Sequence, residues 1–240
     1  MRQTLAFFNY YVKMLSKDKI SLFWTILFPL VLSLITYLPL QNQFETNTQK
    51  LEFLYVYWAF SIVMIFVNGV GSYFATIRQH GLLKTFFSIS GKKHPFVLSI
   101  IIAQLIVGLI SLTLLTVVMG FILDVFSLRI FINMLLYFIA IVPLAPAFLI
   151  IAFIPVKAES VSTILNIITI VLFILTANSS NQFGGFEWLN PLYYFRELSL
   201  VIGQIHTHPL LPLLSVYAVY LIIGLFSLLK LDINSKVQRT

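Results

Sequence analysis

The side chains able to carry acid–base or metal chemistry are few and badly placed for it. His206 and His208 form an H-x-H pair, but no acidic or cysteine residues cluster around it, so no metal-ligand set assembles in sequence and the pair reads as loop residues. Arg196 and Glu197 are adjacent, and helix neighbours point about 100° apart, so a structural role is their default. There is no cysteine, hence no disulfide, thiolate nucleophile or cysteine metal cluster. No G-x-x-x-x-G-K-[ST] occurs, so the chain has no Walker-type cradle for nucleotide phosphates. What remains is neutral: Ser61, Asn68, Ser72, Gln104, Ser111 and Asn166, each embedded in apolar sequence. Such groups hydrogen-bond neighbouring helices in a membrane or line a pathway, and Gly69 and Gly71 beside Asn68 favour close helix contact.

The elements that position these residues follow from composition. Of 240 residues 60% are hydrophobic and 10% charged, against about 25% charged in globular domains. Apolar, charge-free runs cover roughly 20–40, 53–76, 96–123, 130–154, 160–176 and 210–229. A helix needs about 20 apolar residues to cross about 30 Å of hydrocarbon, so the expected fold is an all-α membrane protein with six transmembrane helices in a single domain, residues 1–240. Placing alternate loops on alternate sides puts twelve of the fifteen Lys and Arg on the side of the N-terminus, with only Lys50, Arg129 and Arg196 opposite. This positive-inside bias predicts a multi-pass protein with both termini cytoplasmic. The net charge of +7 is therefore a matter of topology, and no nucleic-acid partner is expected. The first apolar run is long and carries Pro29 and Pro39 with no small-residue cleavage pattern, so it reads as a retained span, not a leader.

None of the six runs contains Asp, Glu, Lys, Arg or His. Proton-coupled carriers keep an ionisable group at membrane depth, and intramembrane proteases need an aspartate pair, an activated serine or a metal there. Neither design is readable here. An energy source outside the chain is the leading reading; an ion-coupled secondary transporter and a non-transporting membrane scaffold are the alternatives. With 23 Phe and 11 Tyr, an internal cleft suits an amphiphilic cargo.

Three segments outside the runs are patterned. Residues 1–19 place Arg2, Asn9, Lys13 and Ser16 on one helical face and Leu5, Phe8, Val12 and Leu15 on another. They predict either an interfacial amphipathic helix or an extension of the first span. Residues 77–95, IRQHGLLKTFFSISGKKHP, predict a short cytoplasmic helix whose apolar stripe is Leu82, Leu83, Phe86 and Phe87, ended by Gly91 and Pro95. An exposed stripe of this kind takes lipid headgroups or another protein. Residues 177–209, broken by Gly184, Gly185, Asn190 and Pro191, predict an external re-entrant helical segment before the last span. Residues 41–52 read as a simple polar connection, and Pro143 and Pro146 predict a kink in the fourth span.

This layout resembles the ABC type-2 permeases, membrane subunits of bacterial ATP-binding-cassette exporters, over essentially the whole chain. Gly81, Leu83 and Lys84 in RQHGLLKTFFSIS fit that family's G-x-L-K-like stretch, and Asn190, Pro191 and Leu192 in NPLYYFRE match its external N-P-L element. Arg78, Gln79 and His80 stand where family members often carry acidic residues. The resemblance implies a coupling loop from Arg78 to Phe87 in which Arg78, His80, Gly81, Leu83, Lys84, Phe86 and Phe87 dock an ATPase subunit. It implies two copies of that ATPase, which holds the ATP and Mg, and a second permease subunit, identical or paralogous, in a bacterial plasma membrane. ATP-driven closure would switch a cleft lined by the early spans and the fifth, with Ser61, Asn68, Asn166 and Phe173 on the path of a peptide, antimicrobial or lipid-like cargo leaving the cell.

Overall fold

The computed structural model describes residues 2–17, 19–91, 94–177, 186–205 and 210–231. Among these residues every regular element is helical. Six helices are long and apolar enough to cross a membrane: Leu22–Gln43, Asn47–Gln79, His94–Ile122, Leu128–Phe153, Ser160–Ala177 and Leu210–Lys230. The second is the centre of the bundle, with 72% of its apolar window buried against 17% for the first and 22% for the fifth. Its sequence explains this, because the consecutive residues Tyr57, Trp58, Ala59, Phe60, Ser61, Ile62 and Val63, which take in every face of the helix, are almost wholly apolar and all buried, and a helix apolar all round belongs in a core.

The second span begins six residues before the apolar run at Phe53. Thr46 accepts a hydrogen bond from the Gln49 backbone N–H while the Gln49 side chain accepts from the Thr46 N–H, a reciprocal cap that starts the helix at Asn47. The expected connection over 41–52 is thereby corrected to a short turn at Gln41–Gln43 and the first helical turns.

Two of the spans change winding midway. In the second, Phe66–Ser72 widens to π geometry. This stretch holds Gly69 and Gly71, and neighbours occupy the space their missing side chains leave. A Cβ on Gly69 would lie 2.1 Å from Gln104 Oε1, and one on Gly71 2.4 Å from Ile151 Cδ1. In the fourth span the α-helix stops at Ile141 and continues as a 3₁₀ helix over Val142–Phe153. Pro143 and Pro146 lack N–H groups and clash with the carbonyl four residues back, so the anticipated kink takes the form of tighter winding. Small residues let this segment lie between the second and sixth spans: a Cβ on Gly224 would sit 3.2 Å from the Ala147 nitrogen.

Three shorter α-helices stand outside the spans among the described residues. The N-terminal helix, Arg2–Lys17, lies along the start of the third span with Tyr11 inward and Phe7 against Phe96. Leu5 and Val12 stand exposed while Phe8 and Leu15, on the same side of the helix, are half-buried; the aromatic contacts of Phe7 set the rotation of the helix. The loop helix, Leu82–Ser90, is bounded by Gly81 and Gly91, both left-handed at φ 71° and 67°. Gly91 ends it, as the sequence suggests. Pro95 does not; it sits in the first turn of the third helix, His94–Ile122, where a missing N–H costs nothing. The penultimate helix, Pro191–Ile202, is largely buried against the second span.

Candidate functional site

A cleft of about 640 Å³ opens in the half of the bundle that carries the N-terminal and loop helices. Its walls come from the first span (Trp24, Thr25, Phe28, Pro29), the second (Met64, Asn68, Ser72, Tyr73, Thr76) and the fifth (Ser162, Asn166, Ile170). Among the described residues no acidic, basic or histidine side chain lines it. Asn68, displayed by the π-wound stretch, donates through Nδ2 to Asn166 Oδ1 at 2.9 Å and so bridges the second and fifth spans. Its own Oδ1 is buried without a hydrogen-bond partner, and so is Ser72 Oγ one turn further on. Asn68 and Asn166 are thus brought together, and Ser72, which the sequence offers only as a polar group, lies in the same cleft.

Beyond the cleft, toward the far end, aromatic rings fill the space between the same spans. Phe173 packs on Phe60 at 4.5 Å and on Tyr57 at 5.3 Å, and Phe28 reaches Phe60 at 6.0 Å. Tyr57 is fixed in turn by a hydrogen bond with Thr36 of the first span. Phe173 therefore lies at the head of the cleft, in the plug. Ser61 lies elsewhere, fully buried and hydrogen-bonded to Ser111 of the third span at 2.8 Å.

A second chamber of about 290 Å³ lies beneath the N-terminal helix and shares Thr25, Asn68 and Tyr73 with the cleft. Gln104 donates to the Tyr11 hydroxyl at 2.7 Å, and the Tyr11 and Tyr73 rings meet at 4.8 Å. Burial pushes the Tyr11 hydroxyl well above the ordinary tyrosine value, with the Gln104 bond opposing, so it is neutral throughout the physiological range. Sequence reading named Gln104 but not Tyr11, whose aromatic type gives no hint of a polar partner ninety-three residues away.

The loop helix has an inner and an outer face. Leu83 is buried and Phe86 stacks on Phe96 at 4.2 Å and meets Phe7 edge-on at 5.8 Å, tying the loop to the bundle. Phe87 (38%) and Leu82 (44%) are exposed, with His80, Lys84 and Thr85 beside them. Arg78 belongs to neither face: it is 4% exposed and donates to the Ala152 carbonyl at the end of the fourth span's 3₁₀ segment. A guanidinium satisfies the unpaired carbonyls there. Of the expected docking residues, therefore, His80, Lys84 and Phe87 face outward while Arg78, Leu83 and Phe86 hold the loop in place, and Gly81 supplies the left-handed turn that leads into it.

Asn190, Pro191 and Leu192 form one start signal. The Asn190 side chain accepts from the Leu192 N–H at 2.9 Å and its Nδ2 donates to the Leu172 carbonyl and Thr176 Oγ1, fastening the penultimate helix to the end of the fifth span. Pro191 occupies the first helical position and Leu192 is buried. On this helix Glu197 is only 2% exposed and pairs with Arg196 at 3.7 Å, so the two adjacent residues do meet. His206 and His208 lie outside the described residues, among which no cluster of three metal-binding side chains occurs. Comparison of the chain with protein families, curated proteins and solved structures finds no match.

Proposed function

We propose that this chain is the membrane-spanning permease of an ATP-driven exporter in a bacterial plasma membrane, with both termini cytoplasmic. The observation that carries the reading is the two-faced loop helix, bolted to the bundle by Leu83 and Phe86 while Leu82, Lys84 and Phe87 stand free at the end toward which the cleft opens. Such a helix suits the transmission of force from a partner to the spans. Two features support it: among the described residues the cleft holds no group that binds a driving proton, and aromatic rings plug it on one side only, the arrangement of one state in an alternating cycle. Two copies of an ATPase subunit, which holds ATP and Mg, dock on this face, and a second permease, identical or related, closes the cleft across the sparsely covered first and fifth spans. The N-terminal helix lies in the cytoplasmic interface and the penultimate helix re-enters from outside. The cargo is amphiphilic: a peptide, an antimicrobial or a lipid-like molecule.

The test is purification of the tagged chain from its own cell membranes. Co-purification of a protein carrying a Walker-type ATP site is expected, and Leu82→Asp with Phe87→Asp removes it while membrane insertion persists. Retention by that double variant refutes the docking assignment. A second reading, ion-coupled transport by the chain alone, is favoured by one observation, the buried carboxylate of Glu197. It requires gradient-driven flux in vesicles containing only this chain, abolished by Glu197→Gln; the permease reading expects none.

A further inference from the structure

The geometry points to an uncharged amphiphile whose head group both donates and accepts hydrogen bonds as the ligand of the cleft, with the Asn68–Asn166 bridge as the element it displaces. This deepens the reading of the cleft as the cargo path and rests on it.

Charge comes first. Among the described residues of the walls a cationic or anionic head group meets no counter-charge, and an unpaired ion in a low-dielectric site carries a penalty of several kcal/mol. Arg78, the buried cation at the end of the second span, donates to the Ala152 carbonyl.

The polar demand of the walls is specific as well. Asn68 Oδ1 and Ser72 Oγ are buried without a hydrogen-bond partner from the protein, and each such group costs about 1–3 kcal/mol. The carboxamide of Asn68 is committed to Asn166 on one side only. A hydroxyl or amide inserted between the two carboxamides replaces their single hydrogen bond by two and lets Asn68 turn its idle oxygen to a donor. An apolar molecule without such a group leaves both defects in place. Around this polar spot the walls are Trp24, Phe28, Met64, Tyr73 and Ile170, which suit an alkyl or aromatic body.

The chain has no cysteine, so Ser162→Cys places a single thiol in the cleft. The protein carrying it is placed in nanodiscs of phosphatidylcholine, and the rate of thiol alkylation is followed with four probes sharing a dodecyl-length chain: dodecanoylglycerol, dodecyl methyl ether, dodecyl sulfate and dodecyltrimethylammonium. At equal mole fraction in the bilayer, dodecanoylglycerol slows alkylation about 10-fold, the worth of about 1.4 kcal/mol, and the other three leave it unchanged. Asn68→Leu removes the protection. Asn166→Leu, on the other wall, does the same and stands in if the first variant unfolds, which tryptophan-detected melting reveals. Equal or better protection by a charged probe or by the ether overturns the ligand class, as does protection that survives both asparagine variants; either result leaves the cargo path standing. Failure of every probe to protect overturns the path and this inference together.

Discussion

Replacing Gly69 by alanine pits helix propensity against a specific seat. Gly69 has a negative φ, so alanine fits the backbone there and, in an unobstructed helix, stabilises by about 1 kcal/mol. Here the new methyl lies 2.1 Å from Gln104 Oε1 and 2.3 Å from Cδ, so the whole carboxamide must leave. Its 2.7 Å hydrogen bond to Tyr11 goes with it, and the Tyr11 hydroxyl, on a residue 1% exposed, is stranded in the core. Losing that bond and leaving its buried groups unmatched costs about 2–4 kcal/mol, and after the alanine gain the net destabilisation is about 2 kcal/mol. For a chain of this size that lowers the apparent unfolding temperature by about 4–8 °C. The measurement is thermal unfolding in nanodiscs followed by tryptophan fluorescence, run as a double-mutant cycle with Gln104→Ala. In the Gln104→Ala background the methyl meets no carboxamide, so Gly69→Ala is neutral or stabilising. Equal losses in the two backgrounds, or a stabilised single variant, refute the reasoning.

Arg78→Met leaves the last carbonyls of the fourth span without their charged donor, and a loss of about 2–3 kcal/mol is expected by the same melting assay, partly recovered in Arg78→Lys. Asn190→Ala removes a helix cap and two donations to the fifth span, costing about 2 kcal/mol and speeding amide hydrogen exchange over Pro191–Ile202 before it affects the N-terminal helix. Burial, with Glu197 and Glu187 nearby, pushes Tyr193 from 10.0 up to about 12. The unfolded chain therefore releases this proton first, so the contribution is complete below pH 10 and is lost as pH rises toward 12; Tyr193→Phe flattens the melting temperature over that window.

Much of the fold was legible because lipid imposes a simple rule on sequence: length and freedom from charge locate the six long helices to within a few residues at most ends. The largest miss, the start of the second span, had a local signature in Thr46 and Gln49 that hydropathy does not see. Gly91 stops the loop helix for a reason visible in any sequence, since only glycine adopts φ 67° freely, whereas Pro95 is ambiguous until one knows whether a helix ends before it or begins with it. In the cleft, Asn68 and Asn166 were readable as neutral polar residues among apolar ones, but their meeting across ninety-eight positions is a property of helix packing. The two faces of the loop helix were hidden for the same reason: Phe86 and Phe87 are chemically alike, and only the position of Phe96 and Phe7 decides which turns inward.

The fourth span's tight winding also fixes how that segment tolerates change. With three residues per turn, side chains stand in straight rows parallel to the axis, and Ala145, Phe148 and Ile151 make one such row, all of it covered. An α-helix would carry the same residues progressively around its circumference and out of register with the flat flank of Gly71. Adding one residue here rotates everything downstream by a third of a turn and exchanges one row for another, whereas adding three restores the original alignment while lengthening the rod by about 6 Å.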